Sequence, residues 1–440
     1  MAKKVLIITY YWPPSGGAGV QRWLKFVKYL PEFGWEPVVL TVDPEKASYG
    51  QKDESLKREI RKGMEVHCTS TFELYSVYQR FSSKKEIPYG GFSNEGNISL
   101  FQRFSRFVRG NFFLPDPRKG WNRFAYKKAK ELICKHRIDT VITTSPPHST
   151  QLIGLKLKKH LGISWIADLR DPWTDIYYYK DFHHTSLARR IDLYYEKKVL
   201  AGADQLITVS PALKRLFLSK AKGIPEDKIT VIPNGYDEDD FPEKIEQPNT
   251  DRFVITYTGT IAESYDLSGF IQALKSSDES FKKKLLLRFV GNVPETIVKQ
   301  FHQAGLERNL DLAGYVPHKK SVQYLFTSDA LLLVIPKVFG NEGIVTGKLF
   351  EYLAAKKPIL CIGPKQGDAA KLIQECEAGS VFDYPDAEGI RSFLNQPFHE
   401  TTSGGNAVKY SRRQLTSRLA AELVRKKRPQ RSKFNTPKDD

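Results

Sequence analysis

Short apolar, β-rich runs alternate with stretches of helical apolar spacing, first over residues 5–232 and again over residues 253–374. Parallel strands need a crossover between them, usually a helix, so this alternation demands parallel sheets covered on both faces. In the first half it predicts strands at Val5–Tyr11, Pro37–Val42, Thr140–Thr144, Ser164–Ala167, Gln205–Val209 and Ile229–Ile232. Helices fall on Val20, Trp23, Leu24, Val27 and Leu30, over Gln151–His160, and from Pro211. The second half predicts strands at Phe253–Thr258, Leu285–Val290, Leu310–Ala313, Ala330–Ile335 and Pro358–Ile362, with helical spacing at Leu349–Leu353 and Ala369–Gln374. Between the halves, Tyr236–Arg252 is polar and acidic with no apolar period, which reads as an interdomain linker. Glu45–Asn97 has no regular pattern.

A chain of 440 residues exceeds one ordinary core. The expected division is a first doubly wound domain over 1–235 carrying an irregular and basic insert at 45–137, the linker 236–252, a second doubly wound domain over 253–405, and a helix with a basic tail over 406–440. Ligands of such sheets bind at the carboxyl ends of strands, which here would face each other across a cleft.

The chain has 68 Lys and Arg against 50 Asp and Glu, a net charge of +18 that favours anionic partners. From Asn97 to Arg137 eleven cations face only Asp116 and Glu131. Phe101, Phe104, Phe107 and Val108 recur there at helical spacing with Arg103, Arg106 and Arg109 between them. Such a helix either seats phenylalanines in an acidic bilayer, with the basic run Arg425–Lys433 as a second patch, or packs on the first domain with a solvated basic face. No nucleic-acid motif is present, and nucleic acid is not expected as a partner. The four cysteines, Cys68, Cys134, Cys361 and Cys376, are far apart, which fits a reducing, cytoplasmic compartment better than a disulfide framework. The N-terminal apolar run breaks at Thr9 and Pro13, which fits a strand rather than an export signal. No apolar run approaches the ~20 residues of a membrane-spanning helix, so membrane association would be peripheral, at the inner face.

Pro13-Pro14-Ser15-Gly16-Gly17-Ala18-Gly19 joins a strand to a helix, and its glycines admit either a ligand's close approach or a tight turn. It is not the dinucleotide fingerprint, because Arg22 stands where the third glycine belongs. Thr346 and Gly347 open a helix whose free amides suit a diphosphate, with Lys348 beside them and Glu351 one turn in, placed for a ribose. Thr144–Ser149 and Ala167–Trp173 follow predicted strands. His148 is either an acceptor-side catalytic group or a cap of the next helix, and Asp168, Arg170 and Asp171 are either functional or an ion-paired turn. No Asp-x-Asp pair stands in a context that would hold a metal.

With these motifs in order over nearly its whole length, the chain resembles retaining glycosyltransferases of family 4, which have the GT-B fold of two Rossmann-like domains. The resemblance rests on the Pro-Pro-Ser-Gly-Gly loop, Ile207-Thr-Val-Ser-Pro211, Val231-Ile-Pro-Asn-Gly-Tyr-Asp-Glu-Asp-Asp-Phe241, Tyr257-Thr-Gly-Thr260, Gly314-Tyr-Val-Pro-His318, and Phe350-Glu-Tyr-Leu-Ala-Ala355 before Pro358. It implies an N-terminal acceptor domain, a C-terminal nucleotide-sugar domain, and metal-independent, cofactor-free transfer from a nucleotide-diphosphate sugar to a cell-surface glycan or lipid-linked acceptor. The implied donor-site residues are Gly16, Gly17, Gly259, Thr260, Tyr315, Val316, Glu342, Thr346, Gly347, Lys348 and Glu351; His148 and Asp171 are the candidates on the catalytic side from their loops, His148 not standing where the family's catalytic histidine aligns. The chain departs from the family twice. The family's first glutamate falls on Gly343 with Glu342 beside it, and its cations after Gly259 are Thr260 and Tyr265 here, leaving Lys348 to supply the charge. An epimerase or an inverting transferase of the same fold, or a non-catalytic basic protein that binds a membrane or an acidic polymer, would share these features.

Overall fold

The computed structural model describes residues 2–50, 52–72, 100–221, 223–241, 251–396 and 404–425. The first domain holds a seven-stranded parallel sheet in the order β3-β2-β1-β4-β5-β6-β7. Its strands are β1 Lys3–Ile8, β2 Trp35–Val42, β3 Glu65–Thr69, β4 Thr140–Ser145, β5 Ser164–Leu169, β6 Gln205–Thr208 and β7 Ile229–Val231. The second domain holds a six-stranded parallel sheet in the order β10-β9-β8-β11-β12-β13. These strands are β8 Phe253–Thr258, β9 Leu285–Val290, β10 Leu310–Gly314, β11 Ala330–Val334, β12 Ile359–Ile362 and β13 Gly379–Phe382. The order reverses between β1 and β4 and between β8 and β11, and a crevice opens at each such switch point.

Both faces of each sheet are covered, so successive strand residues enter different cores. Leu6 and Ile8 pack with Val141, Trp165 and Leu206, while Val5 and Ile7 pack with Ile142, Ile166 and Ile207. This double burial explains the unbroken apolar runs in the sequence. Three details differ from the sequence expectation. β1 ends at Ile8, and Tyr10 beyond it leaves the sheet to meet Trp121 edge-on at 5.6 Å. β3 arises within the patternless stretch Glu45–Asn97, and β13 was not anticipated; both are half-buried edge strands without a continuous apolar signature. Residues 73–99 of that stretch lie outside the described residues.

The chain crosses between the domains twice, and the crossings bond to each other. Tyr236 N donates to Tyr410 O at 3.1 Å and Arg412 N to Tyr236 O at 2.7 Å. Only glycine fits at Gly235, where φ is 69° and a Cβ would meet Tyr410 O at 2.5 Å. After the return crossing, the helix Arg412–Val424 packs on the first domain, adding Leu415, Leu419 and Leu423 to the core of Val20, Trp23 and Val27.

The stretch Tyr236–Arg252 opens with a packed turn, and residues 242–250 lie outside the described residues. Lys25 Nζ reaches Glu59 Oε2 at 2.7 Å, Asp237 Oδ2 at 2.8 Å and Asp240 Oδ1 at 2.6 Å. Tyr29 Oη donates to Asp237 Oδ1 at 2.5 Å. Burial pushes the Asp237 carboxyl up, but Lys25, Lys28 and Tyr29 outweigh it and hold the group down to about 2, from an ordinary 3.8. The stability from this depressed carboxylate is present above pH 3.8 and is lost as pH falls toward 2. Asp237→Ala should cost about 2–3 kcal/mol at neutral pH, because it removes a buried partner of Lys25, Lys28 and Tyr29 while Glu59 and Asp240 still pair with Lys25. It should also flatten the acid-side fall in unfolding free energy, measured by urea melts, by about 2 kcal/mol relative to wild type. Parallel pH profiles of the two proteins would show that Asp237 is not the anchor.

Candidate active site

The first half of the site is built by the ends of β1, β4 and β5. The loop after β1 enters the helix Ala18–Tyr29 through Gly17, at φ 90°. Arg170 straps this loop to the sheet: Nη1 donates to Gly19 O at 2.7 Å and Nε to Ser145 O at 2.9 Å. Asp168 is fully buried and accepts from Arg22 Nη2 at 3.0 Å, Trp23 Nε1 at 2.8 Å and Thr144 Oγ1 at 2.8 Å. These two residues hold the turn together. Asp171 instead lines the cleft, and among the described residues its carboxylate has no hydrogen-bond partner. Burial raises its pKa, against the pull of Arg170.

His148 also lines the cleft. Its side chain makes no capping bond to the helix Ser149–Leu161, which removes the capping alternative. Asp116 caps that helix, accepting from Ser149 N at 2.7 Å and Ser149 Oγ at 2.8 Å. The His148 ring stacks on Trp173 at 4.7 Å and 15°, and its buried Nδ1 has no partner among the described residues. Burial, with Lys220 and Arg170 nearby, pulls the ring's pKa down to about 3. At neutral pH it is a neutral imidazole fixed against an aromatic wall.

Gly16, His148 and Asp171 share one cleft of about 470 Å³, closed on the far side by Val345 of the second domain. Its wall also carries Arg109, Arg118 and Tyr178, which the sequence did not single out as site residues. The helix Leu100–Phe112 divides its arginines: Arg103 is exposed, Arg106 is buried and Arg109 turns inward, while Phe104 and Phe112 are exposed. The side chain of Phe101 lies outside the described residues.

The second half of the site lies at the ends of β8, β10 and β11. Lys348, near the start of the helix Gly347–Ala355, reaches back over the end of β8. Its Nζ donates to Tyr257 Oη at 2.6 Å, sits 4.1 Å over the Tyr257 ring, and would lie 3.1 Å from a Cβ at Gly259. Burial lowers the ammonium to about 7, with Glu351 acting the other way. Thr346 stands at the N-cap without capping, its Oγ1 buried and without a partner among the described residues. Glu351 Oε1 lies 3.1 Å from His318 Nε2. Burial alone would lower His318, but Glu351 outweighs it and raises the ring to about 8. Behind Glu351 the buried Arg412 shares a small void with Lys25 and Asp240.

The remaining expected residues are less enclosed. Tyr315 is exposed, Val316 half-buried, and Thr260 exposed with its carbonyl accepting from Tyr257 Oη at 3.0 Å. Glu342 is exposed in the turn Asn341–Gly343, whose Gly343 carbonyl accepts from Ser210 Oγ of the first domain at 3.0 Å. A second interdomain bond runs from Ala212 N to Asp368 Oδ2 at 2.7 Å. Among the described residues, Glu65, His67 and His136 converge closely enough for a cation, but Lys4 bridges Glu65 at 3.4 Å and His136 at 3.1 Å, and none of the four lines the cleft.

Residues 16–240 match the model of Glycosyltransferase Family 4, and residues 238–413 match that of Glycosyl transferases group 1. No curated protein matches the chain. Among solved structures, Alr3699/HepE from Anabaena, in complex with UDP and glucose, is similar at TM-score 0.58 and 15% identity, covering 96% of this chain and 99% of that one. WaaG, a glycosyltransferase involved in lipopolysaccharide biosynthesis, is similar at TM-score 0.51 and 15% identity over 95% and 94% of the two chains. A putative UDP-N-acetylglucosamine 2-epimerase from Listeria monocytogenes is similar at TM-score 0.53 and 12% identity over 96% of each chain. With two parallel-sheet domains meeting at such a cleft and both halves matched, the chain belongs to glycosyltransferase family 4 and is a glycosyltransferase of the GT-B fold.

Proposed function

We propose that the enzyme is a retaining, metal-independent glycosyltransferase that moves a sugar from a nucleotide-diphosphate donor to a cell-surface glycan or lipid-linked acceptor. The observation that carries the donor half is Lys348, packed against Gly259 at the start of the helix Gly347–Ala355. Here a diphosphate would meet an ammonium, free helix amides and the positive end of a helix dipole together. As the bond from the sugar to the diphosphate breaks, its electron pair leaves on the diphosphate, and the same groups stabilise that charge. They supply the role that a divalent ion plays elsewhere. Glu351, held by His318, would take the ribose, and Gly16 and Gly17 would approach from the opposite domain. The complex of Alr3699/HepE with UDP and glucose puts uridine nucleotides first among donors to test.

On the acceptor side, neutral His148 and Asp171, which has no hydrogen-bond partner among the described residues, would accept from the attacking hydroxyl and orient it. Peripheral contact with an anionic membrane through residues 97–137 completes the reading. The basic tail beyond Arg425 lies outside the described residues.

UDP, GDP, ADP and their sugar conjugates should be compared by thermal shift. One family should stabilise the protein, and Lys348→Met and Glu351→Ala should each weaken it about tenfold or more, the size of a lost charge-assisted hydrogen bond. No shift with any nucleotide would sink the donor assignment. Because Lys348 titrates near 7 when the site is empty, it is already charged below that pH. Above it, binding must also recruit a proton, so affinity should fall by up to about tenfold per pH unit. Lys348→Met should lose this slope.

Once a donor is identified, His148→Ala and Asp171→Asn should each lower kcat about 100-fold while leaving donor affinity near wild type. Full turnover in either variant would remove that residue from the chemistry. Transfer should persist in EDTA, and NMR of the product's anomeric proton should report retention. An inverted linkage or a free epimerised donor would replace the retaining reading.

A further inference from the structure

The face of the first sheet that lies under the helix Asn122–His136 changes character at its edge. Leu6 and Ile8 of β1 share that face with Val38 and Leu40 of β2, and all four pack with Ala129, Leu132 and Ile133 of the helix. The register carries the same face onto β3, where Glu65 pairs with Val38 and His67 with Leu40. Where the core pattern calls for two more apolar residues, the strand therefore presents a carboxylate and an imidazole side by side. The last turn of the helix brings a second imidazole, His136, to the same corner.

The Nε2 atoms of His67 and His136 each lie 2.8 Å from Glu65 Oε1, and the three ligand atoms fall within 4.8 Å of one another. His136 Nε2 is buried and, although so close to that oxygen, has no hydrogen-bond partner among the described residues. The ring nitrogen is thus aimed past the oxygen, as it is when both atoms face a shared third point. Ligand atoms around a tetrahedral zinc stand about 3.3 Å apart, so each short contact needs to open by only about half an ångström. Glu65 and His67 have partly exposed side chains, which leaves room for that shift and for a water as fourth ligand. Burial alone would raise the Glu65 carboxyl, but His67, His136 and Lys4 outweigh it and hold the group down as an anion. Two imidazoles with one carboxylate suit zinc, cobalt or nickel, whereas magnesium and calcium prefer oxygen alone.

Lys4 stands on the remaining side, its Nζ 3.1 Å from His136 Nδ1 and 3.4 Å from Glu65 Oε2. An ammonium can only donate, so Nδ1 accepts from it and the ring's own proton sits on Nε2. A metal on Nε2 requires the tautomer with the proton on Nδ1, and two donors then face each other there. Lysine and metal are therefore alternatives, and the Lys4 side chain, 34% exposed, can swing its ammonium into water.

We infer that Glu65, His67 and His136 form a binding site for a zinc-class divalent cation, which displaces Lys4 and pins β3 to the last turn of the helix Asn122–His136. Lys4 and Glu65 stand near the starts of their strands and His136 ends its helix, so the site lies at the opposite end of the sheet from the cleft. Its role is to fasten an edge strand, and the transfer reaction remains independent of it.

The test strips the untagged full chain of metal with EDTA, removes the chelator, and titrates the protein with zinc by calorimetry and with cobalt by visible absorption. A single zinc should bind, cobalt should give visible d–d bands that zinc abolishes, and magnesium and calcium should not bind. His67→Gln and His136→Gln should each weaken zinc about tenfold or more. His160→Gln, an exposed histidine of the helix Ser149–Leu161, should change it less than about twofold. Lys4→Met should tighten zinc about fivefold, because it removes the competing charge. Zinc should raise the melting temperature of the wild type but not of His67→Gln. If His136→Gln unfolds, His67→Gln carries the test alone, since its side chain lies on an edge strand and is partly in water. Absence of zinc binding, or an unchanged affinity in His67→Gln, overturns the site. Weaker binding by Lys4→Met overturns the exchange of lysine for metal. Nucleotide stabilisation, measured with and without zinc, should be the same and reports on the donor side separately.

Discussion

The contact on which most of the site depends is the ion pair between Arg22 and Asp168, with both side chains fully out of water. An isolated charge in such a place costs several kcal/mol, and this one is tolerated because nearly every lone pair and proton around it is used. Asp168 takes donors from Arg22, Trp23 and Thr144, and Arg22 extends to Pro233 O at 2.8 Å. One carboxylate therefore orders the helix after the glycine loop, the ends of β4 and β5, and the first crossing between domains. Asp171 and His148 hang from a frame that this pair fixes, which is how two groups without hydrogen-bond partners among the described residues keep defined positions at the cleft.

Desolvation then sets the chemistry on both sides. On the acceptor side it leaves an imidazole neutral and a carboxyl pushed upward. On the donor side it softens an ammonium that is close to a glycine with no side chain to shield it. The two halves recruit different devices: aromatic walls around the acceptor cavity, and a helix terminus for the leaving group. Their meeting point is the stretch from Gly343 to Thr346, where Gly343 touches the first domain, Val345 closes the cleft and Thr346 opens the donor helix.

The alternation of strand and helix was legible because strands buried on both faces leave continuous apolar runs, whereas Lys348 was expected beside Gly259 only through the family resemblance; in the structure the two meet because β8 and the helix Gly347–Ala355 come together at one edge of the second sheet. Of the four edge strands, β7 and β10 were legible but β3 and β13 were not, since β3 is half-covered and carries Glu65 and His67 among its few residues. Nor did the sequence separate Asp168 from Asp171. Three positions apart in one turn, they differ only in that Asp168 belongs to β5 and points into the protein. The orientation of the helix Leu100–Phe112 stayed open for a related reason: amphipathic spacing reveals two faces but not which one meets the protein, and a polar cleft can claim the charged one. The glutamate shift at Gly343 also has a visible cause, because a side chain there would press on Ala212 across the domain boundary at 2.9 Å.

The last helix, Arg412–Val424, lies on the first domain rather than the second. During synthesis Leu415, Leu419 and Leu423 can therefore join the core of Val20, Trp23 and Val27 only after some four hundred further residues have emerged, the whole second sheet among them. At about 5–20 residues per second that is a delay of tens of seconds. The core of the first domain is completed only then, with this helix as the clasp that closes it.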